Sequence, residues 1–369
     1  MLVIGIMSGS SLDGLDIAAC RFTLKQRSPF NCSWSILAGQ TYPFPGSIKS
    51  GLESAHQMDA LSFTQLDVDL GIWVGETTKA FLNEINEEPE LISWHGHTVF
   101  HYPEKKLSVQ IGSGTAIAVT SGIDVLSQFR QADVISGGEG APLAALVDKY
   151  LFPGYDFYLN LGGIGNMSFY DNSGIIRSFD ICPVNQILNR LSRLAGLDFD
   201  ENGILASKGN KQNLLLQQLN SWNYYKKKYP KSLDNQQIAT HFWPIIDRFP
   251  GSVSDKLNTY CHHITEKILM SALQVSSSKQ GKILVTGGGA YNTFLIECLK
   301  FKLQSIGIEA ILPAPAIIDF KETLIMALMG FMWKNGIPNI LHEVTGAPFP
   351  CQAGTYHKGH SEKNIKHFK

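Results

Sequence analysis

The chain has 369 residues, enough for two domains that each bury a core. Hydrophobic residues make up 44% and charged residues 17%, a composition typical of globular proteins, and the formal net charge of −1 leaves no basic excess for nucleic acid or an anionic membrane surface. The six cysteines show no C-x-x-C spacing, so we expect reduced thiols in a cytoplasm and neither a zinc site nor a disulfide framework. We expect no signal peptide or membrane span.

The first part of the chain predicts a β-hairpin followed by alternating helices and strands. The hairpin consists of the apolar run "MLVIGIM", the glycine-rich turn "SGSSLDG" and the run "LDIAACRF". Residues 62–86 carry apolar side chains at helical spacing, and Ser62 with Gln65 resembles a capping box at the start of this helix. The strand "LISW", the helix "TAIAVTSGI" and the strand "DVLSQF" follow.

The second part predicts a similar arrangement. The stretch "YDFYLNLGGIGNMSFY" predicts another hairpin with a glycine turn, and "GIIRSFD" predicts a third strand. Helical patterns cover "NQILNRLSRLAG", residues 256–275 and residues 321–333, while "GKILVTGGGAYNTFLIECLKFKL" predicts a strand, a triple-glycine turn and a helix. The basic run "YYKKKYPKS" at 224–232 is typical of a solvated loop or helix edge. Two such halves predict an α/β structural duplication with a ligand cleft between its lobes.

Three glycine-rich turns could bind phosphate through backbone N–H groups, namely Gly9–Gly14, Gly162–Asn166 and Gly287–Gly289. None matches G-x-x-x-x-G-K-[ST] or a G-x-G-x-x-G that leads into a helix. A single glycine turn is usually only a turn. The order of these three, which is hairpin, hairpin and strand-to-helix, resembles the superfamily of sugar kinases, heat-shock chaperones and actin.

A closer resemblance is carried by eight blocks that follow one another along nearly the whole chain. They are "GIMSGSSLDG", "HGHTVFHYP", "QIGSGTAIA", "FRQADVISGGEGAPL", "NLGGIGNMS", "FDICPVN", "VTGGGAYN" and "KETLIMALMG". In sequence and order they resemble the anhydro-N-acetylmuramic acid kinase family. The resemblance implies an actin-like, ribonuclease H-like α/β fold with two lobes and an interdomain cleft. We assign residues 1–134 and about 340–369 to lobe I and residues 135–339 to lobe II.

The resemblance also implies an activity. It implies an ATP-dependent kinase that converts 1,6-anhydro-N-acetylmuramic acid and water to N-acetylmuramic acid 6-phosphate, with ADP as the second product. The expected setting is recycling of cell-wall fragments in a bacterial cytoplasm, with Mg²⁺ as the cofactor and the amino sugar and ATP as partners. We expect no nucleic acid or membrane partner, and a homodimer is the candidate assembly. The alternatives are another sugar kinase of the superfamily and a non-catalytic nucleotide-binding regulator.

Asp180 ends the predicted strand "IIRSFD", where a carboxylate could act as a general base. It could equally cap the following helix, with Pro183 at the helix start. The local sequence leaves both interpretations open, and the resemblance assigns the catalytic role to Asp180. The family more often reads D-T-G-P-G-N here, whereas this chain has Ile181, Cys182 and Val184.

The other site residues also follow from the resemblance. It implies that the three turns contact ATP through Gly9, Ser10, Ser11, Leu12, Asp13, Gly14, Leu15, Asp16, Gly162, Gly163, Gly165, Asn166, Gly287, Gly288 and Gly289. It implies sugar contacts at Ser11, His95, Arg130 and Glu322. Asp13 is the candidate to hold Mg²⁺ through water.

Each of these residues has a structural alternative. Asp16 could merely start the second strand, and Arg130, whose planar fork suits a carboxylate, could form a surface salt bridge. Glu322 could stabilise the dipole of an apolar helix. His95 and His97 would share one face of a strand and could line the sugar pocket, pack in a core or bind a metal. The family usually has glutamine at the position of His97.

Overall fold

The computed structural model describes residues 1–9, 12, 14–275 and 280–360. Contacts between residues divide the chain into two compact units, of which unit 1 contains Met1–Pro153 and Phe320–Lys369 and unit 2 contains Gly154–Asp319. The boundaries expected from the sequence lie at 134/135 and near 339/340, and the residues between the two sets of boundaries group with unit 1. For the second boundary, the physical reason is close packing of a helix on the first strand. A Cβ on Gly5 would lie 1.9 Å from the carbonyl oxygen of Thr323.

Strands and helices alternate along the described residues. The strands are β1 (Leu2–Ser8), β2 (Leu15–Gln26), β3 (Asn31–Tyr42), β4 (Leu91–Trp94), β5 (His97–Tyr102), β6 (Leu107–Ile111), β7 (Val125–Ser127), β8 (Phe157–Leu161), β9 (Ile164–Tyr170), β10 (Ile176–Pro183), β11 (Gly281–Thr286), β12 (Ile308–Ile311) and β13 (Thr355–His357). The helices are α1 (Gly46–Ser54), α2 (Ala60–Ile85), α3 (Gly114–Ser121), α4 (Gln131–Ile135), α5 (Ala145–Leu151), α6 (Asn185–Arg193), α7 (Ile204–Lys208), α8 (Asn213–Asn220), α9 (Asn235–Arg248), α10 (Val253–Val275), α11 (Thr293–Gln304), α12 (Pro315–Lys334) and α13 (His342–Thr345).

The main sheet of unit 1 has the order β13-β7-β4-β1-β2-β3. Strands β1, β2 and β3 form an antiparallel meander, β4 runs parallel to β1, and β7 runs parallel to β4. Val3, Ile4 and Ile6 of the central strand β1 are fully buried, which explains why this strand reads as a continuous apolar run. Strands β5 and β6 form a separate two-stranded sheet.

The sheet of unit 2 has the order β10-β9-β8-β11-β12. Strands β8, β9 and β10 form an antiparallel meander, β11 runs parallel to β8, and β12 runs parallel to β11. Helix α10 contributes Tyr260, Cys261 and Ile264 to the core of this unit, all fully buried. The simple explanation of Cys261 as a small core residue is therefore sufficient.

The first five strands of each sheet share one topology, and β13 adds a sixth strand antiparallel to β7 in unit 1. In each unit the strands stand in the order third, second, first, fourth and fifth, with the second antiparallel to its neighbours and the last two parallel to the first. The predicted α/β class and structural duplication are thus confirmed, and the strand order is the ribonuclease H-like one that the resemblance implies. The predicted capping box is wrong, because α2 starts at Ala60 and the carboxylate of Asp59 accepts from the N–H groups of Leu61 and Ser62.

Candidate active site

The first glycine-rich turn joins β1 to β2, as the sequence predicts. Ser8 and Leu15 form the last pair of this hairpin. Within the turn, the N–H of Leu12 donates to the carbonyl of Gly9 at 3.2 Å, and Leu12 has a positive φ of 56°. Three residues for which contacts were predicted lie outside the described residues, namely Ser10, Ser11 and Asp13.

Asp16 lies in β2 directly after this turn, so it does belong to the start of the second strand. Its Oδ1 accepts a hydrogen bond from the hydroxyl of Thr41 at 2.6 Å. Its charge also contributes to a raised pKa of Glu322, which means that the two carboxylates share one electrostatic environment. A Cβ on Gly14 would lie 2.9 Å from the carbonyl oxygen of Tyr42, so the exit of the turn requires glycine.

His95 is buried and holds the side chain of Arg130. Its Nδ1 lies 2.8 Å from the carbonyl oxygen of Gly96, which can only accept, so Nδ1 carries the proton. Its Nε2 then accepts from Nε of Arg130 at 2.9 Å. Burial, followed by the charge of Arg130, lowers the pKa of His95 to about 3, so the ring is neutral at physiological pH.

The other contact of Arg130 is with a loop. Its Nη1 donates to the carbonyl of Gly140 at 2.6 Å. The fully buried carboxylate of Asp133 accepts from the N–H of Gly140 and from the hydroxyl of Thr345, each at 2.7 Å, and so fixes this loop. The surface salt bridge considered for Arg130 is not found among the described residues. Sequence analysis missed Asp133, although it lies inside one of the quoted blocks.

The expected strand face shared by His95 and His97 is wrong. Strand β4 ends at Trp94 and β5 begins at His97, so His95 lies in the connection between the two strands and not on the strand that carries His97. Between them, Gly96 has a φ of +86° and turns the chain. His97 is buried, and its Nδ1 lies 2.9 Å from the hydroxyl of Ser8. Burial lowers the pKa of His97.

Over the part of the chain that the structure describes, no group of three His, Cys, Asp or Glu side chains is arranged to hold a metal ion. The third histidine of this block, His101, places Nδ1 2.9 Å from the hydroxyl of Ser108. The metal alternative for these histidines therefore receives no support from their geometry.

Glu322 lies just after a kink in α12. Desolvation and the charge of Asp16 raise the pKa of Glu322, whereas the charges of Arg130 and Lys321 lower it. Lys321 forms a buried ion pair with Asp148, with 2.7 Å between Nζ and Oδ1. Within unit 1 the structure thus brings Glu322, Arg130 and Asp16 into one electrostatic neighbourhood. Glu322 also follows the point where the helix restarts, which is compatible with the dipole alternative.

The second glycine turn joins β8 to β9 and is bonded to the start of α6. The carbonyl of Gly163 accepts from the N–H of Val184 at 2.8 Å, and that of Gly162 accepts from the N–H of Asn185 at 3.1 Å. The N–H groups of Gly162 and Gly163 donate to none of the described residues. Two adjacent backbone donors in a tight glycine turn are a suitable site for an anion.

Asp180 lies within β10, directly opposite Asn166 of β9, which in turn faces Asn160 of β8. Cross-strand partners share one face of a sheet, so these three polar side chains form a row beside the second glycine turn. Helix α6 has Val184 as its N-cap residue. The capping alternative for Asp180 is therefore wrong, and Pro183 ends β10 instead of starting the helix.

The environment of Asp180 suits a base. Its Oδ2 accepts from the N–H of Leu233 at 2.9 Å, while its Oδ1 has no hydrogen-bond partner among the residues described. Burial raises the pKa of Asp180, and the Leu233 hydrogen bond opposes this effect. The carboxylate thus combines one uncommitted oxygen with increased basicity.

The departure from the family pattern after Asp180 is accommodated in the core. Ile181, Cys182 and Val184 are all buried, and burial raises the pKa of the Cys182 thiol to about 12. The backbone of this loop contacts the glycine turn through the N–H of Val184. The larger side chain packs tightly, because a Cβ on Gly165 would lie 2.8 Å from Cγ2 of Val184.

The third glycine turn follows β11. Gly287 has a φ of +82°, and a Cβ there would lie 2.4 Å from Oδ1 of Asn160 and 2.8 Å from the backbone of Leu161. The position therefore requires glycine for both its conformation and its packing. Asn160 lies close to this turn and also to the second one, since a Cβ on Gly162 would be 3.2 Å from its Nδ2.

A cavity of about 540 Å³ lies beside the third turn, within unit 2. Gly288 and Gly289 line it, together with apolar and carboxamide side chains and the carboxylates of Asp200, Glu201 and Asp319. Sequence analysis missed most of this wall, including Asn185, Asn189, Phe199, Asn202 and Tyr291. These residues come from separate segments, so no local motif connects them.

The expectation of a solvated loop or helix edge at 224–232 is wrong for its first residue. Tyr224 is only 4% exposed and lies in the 3₁₀ helix Asn223–Lys226. The run of lysines that follows, Lys226–Lys228, is exposed as expected.

Comparisons with known proteins match one and the same family over almost the entire chain. A family model described as "Anhydro-N-acetylmuramic acid kinase" matches residues 1–358. The anhydro-N-acetylmuramic acid kinase of Trichormus variabilis is 30% identical and is covered over 97% of each chain. That of Aliivibrio fischeri is 28% identical, over 93% of this chain and 95% of the relative. In the described residues, no helix is both long and apolar enough to cross a membrane.

Proposed function

This chain belongs to the anhydro-N-acetylmuramic acid kinase family, and we propose that it phosphorylates 1,6-anhydro-N-acetylmuramic acid with ATP. Water opens the anhydro ring in the same reaction, and the products are N-acetylmuramic acid 6-phosphate and ADP. The reaction would serve the recycling of cell-wall fragments in a bacterial cytoplasm.

The observation that carries the catalytic assignment is the position of Asp180. Its side chain shares a sheet face with Asn166, beside the Gly162 and Gly163 turn whose N–H groups could bind a phosphate. Its Oδ1 is uncommitted among the described residues, and burial raises its pKa. A general base needs both a free oxygen and an increased affinity for protons.

The proposed chemistry uses this one base. Asp180 takes a proton from water, and the water oxygen attacks the anomeric carbon of the sugar. The bond between that carbon and O6 breaks, and the released O6 attacks the γ-phosphate of ATP while ADP leaves. Asp180 returns its proton to solvent before the next turnover. Positioning and electrostatic stabilisation supply most of the catalysis in phosphoryl transfer.

The nucleotide would use the glycine turns and the cavity of unit 2. The apolar and carboxamide side chains of this cavity suit adenosine, whose hydroxyl and amino groups can also donate to its carboxylates, and Gly288 and Gly289 line it. Asp13 is the proposed residue for Mg²⁺, and Asp16 is the nearest described carboxylate to the first turn. Mg²⁺ commonly takes one or two carboxylates plus substrate phosphates and retains several waters, so this donor set fits the ion. When bound, Mg²⁺ would offset the charge on the transferring phosphoryl group.

The sugar would use residues of unit 1. The guanidinium of Arg130, oriented by His95 and Gly140, would bind the lactyl carboxylate of the substrate. Glu322 would accept hydrogen bonds from the sugar, and Ser11 would contribute a further contact. The sugar contacts and the first phosphate turn are thus assigned to unit 1, and the base, the second phosphate turn and the adenosine side are assigned to unit 2. A homodimer is the proposed assembly, which light scattering can test.

Replacing the base tests this assignment. We expect Asp180→Asn to lower kcat by about 10²–10⁴-fold, because proton abstraction from water is lost. Binding of ATP, measured by calorimetry, should remain. Asp171→Asn is the control, because this carboxylate sits on the same meander but pairs with Arg177. Wild-type turnover by Asp180→Asn would contradict the mechanism.

The two alternatives predict different products. Another sugar kinase would phosphorylate a sugar without stoichiometric ring opening, and a nucleotide-binding regulator would bind ATP without turnover. Product analysis by mass spectrometry distinguishes both from the proposed reaction.

A further inference from the structure

The segment from Tyr224 to Leu233, here called the strap, covers one edge of the unit 2 sheet at Asp180. Strand β10 is an edge strand, and the N–H of Asp180 donates to the carbonyl of Lys231 at 3.1 Å, as it would to a further strand. The hydroxyl of Tyr224 donates to the carbonyl of Asp180 at 2.6 Å. The N–H of Leu233 donates to Oδ2 of Asp180 at 2.9 Å.

Three of the four polar atoms of Asp180 are therefore bonded to the strap. The two backbone bonds fix the peptide position, and the Leu233 bond fixes the rotation of the carboxylate. The fourth atom, Oδ1, is left without a hydrogen bond to any described residue. The strap thus determines which carboxylate oxygen remains for proton transfer and where that oxygen lies.

The strap is itself held firmly. Tyr224 and Leu233 are 4% and 9% exposed and belong to the core of unit 2. The ammonium of Lys231 lies 4.8 Å from the centre of the Tyr224 ring and 5.6 Å from that of Phe179, which is within cation–π range. Because both ends are buried, the bonds to Asp180 come from a fixed support and not from a solvated loop.

We propose that the strap positions the carboxylate of Asp180 and that Tyr224 is its principal positioning residue. This inference rests on the proposed function of Asp180 as the general base. The Tyr224 hydroxyl holds the Asp180 peptide at the distance at which the Leu233 N–H reaches Oδ2. Without that hydroxyl the peptide can shift and the Leu233 bond weakens. A carboxylate that loses an N–H donor has a higher pKa.

The test compares two tyrosines that are adjacent in sequence. Tyr224→Phe removes the hydroxyl on Asp180, whereas Tyr225→Phe removes a hydroxyl that lies 2.9 Å from Nε2 of His263. We expect Tyr224→Phe to lower kcat about tenfold and to leave the KM for ATP unchanged. In a plot of kcat against pH, we expect the acidic limb, here called the limb, to move to higher pH. This direction follows because Asp180 must be deprotonated to act and its pKa rises. Tyr225 also lies in the strap but makes no hydrogen bond to Asp180 among the described residues, so Tyr225→Phe should change neither kcat nor the limb.

Two further measurements keep the test decisive. Thermal unfolding and ATP binding on the same preparations show that both variants are folded. Incorporation of 4-aminophenylalanine at position 224, which restores a donor, should recover kcat and the wild-type limb. A difference in the limb between the two tyrosine variants is assigned to Asp180. Its neighbours Cys182 and Tyr224 do not titrate in the acidic range, because burial raises the pKa of Cys182 to about 12 and that of Tyr224 as well.

Equal kcat values and equal limbs for Tyr224→Phe and Tyr225→Phe would overturn the proposal. A fall in kcat with an unmoved limb would overturn it too, because it would reflect a general loss of structure. Asp180→Asn, measured in parallel, distinguishes failure of the strap inference from failure of the proposed function. If Asp180→Asn is inactive while the tyrosine variants are alike, the strap inference fails and the proposed function stands. If Asp180→Asn is fully active, the proposed function fails.

Discussion

At the scale of single residues, side chains that are expected to contact the substrate already form hydrogen bonds with each other. His95 is neutral because its Nδ1–H donates to a carbonyl and its Nε2 accepts from Arg130, and burial keeps its pKa low. Arg130 uses Nε and Nη1 for His95 and Gly140. The geometry of the guanidinium is therefore set before any ligand arrives, which reduces the entropic cost of binding a carboxylate.

This arrangement makes a lysine at position 130 a poor substitute. We expect Arg130→Lys to raise the KM for the sugar by about one to two orders of magnitude, because one ammonium cannot keep both protein contacts and bind a carboxylate, and a charge-assisted hydrogen bond is worth about 1.5–3 kcal/mol. The KM for ATP should not change. Steady-state kinetics with each substrate varied will measure both values.

The matched control for this prediction is Arg21→Lys. Arg21 is exposed and binds both oxygens of Glu87 at the surface of the same unit, so its replacement should leave both KM values unchanged. An unaltered sugar KM in Arg130→Lys would contradict the role assigned to Arg130.

At the scale of elements, the glycine turns differ in what they require. A turn can need glycine for its positive φ alone, or also because a neighbour occupies the space of a Cβ. Gly174 is of the first kind, with a φ of +73° and nothing within 4 Å of a Cβ. Gly287 is of the second kind, because Asn160 and Leu161 crowd the position.

The pair gives a prediction for the third turn. The positive φ should destabilise both variants, Gly174→Ala by about 1–2 kcal/mol and Gly287→Ala by more, because Asn160 and Leu161 also occupy the space of its Cβ. Only Gly287→Ala should also weaken ATP binding, because the added methyl group must displace Asn160 and the turn beside the cavity. Calorimetry and thermal unfolding of both variants will measure the two effects, and equal ATP affinities would contradict the assignment of this turn to the nucleotide.

Strands and helices were predictable where apolar residues form continuous runs or recur at helical spacing. The strands around the glycine turns, helix α6 and helix α10 were recognised from apolar runs and helical spacing. Helix starts were less predictable, because Asp59 and Ser62 are both capping residues and only the backbone decides between them. The strap was misread for a similar reason. Its lysines indicate solvent, while its role depends on Tyr224 and Leu233, which are buried by residues distant in sequence.

At the scale of the whole molecule, the duplication was visible in the order of elements. The two hairpins lie at the start of sheets with the same strand order, although the halves share no obvious sequence repeat. The reason is that hydrogen bonding between strands needs only the right periodicity and turns, not particular side chains. The resemblance to a family then supplied the chemistry that periodicity cannot.

The parts of the site that escaped sequence analysis are those assembled from separate segments. Asp133 acts through the loop at Gly140, and the cavity wall joins Asn185 to Phe199 and Tyr291. No local spacing connects these residues, because their proximity is created by the packing of whole elements. Asp180 was identified by its motif, but its uncommitted oxygen depends on the strap.

The central claim is that one reaction both opens the anhydro ring with water and phosphorylates O6. Its most direct test is turnover of 1,6-anhydro-N-acetylmuramic acid with ATP and Mg²⁺ in heavy-oxygen-labelled water, followed by mass spectrometry and phosphorus NMR of the product. We expect one heavy oxygen on the anomeric carbon and an unlabelled phosphate on O6. A heavy oxygen in released inorganic phosphate, with the sugar unlabelled and its ring intact, would contradict it.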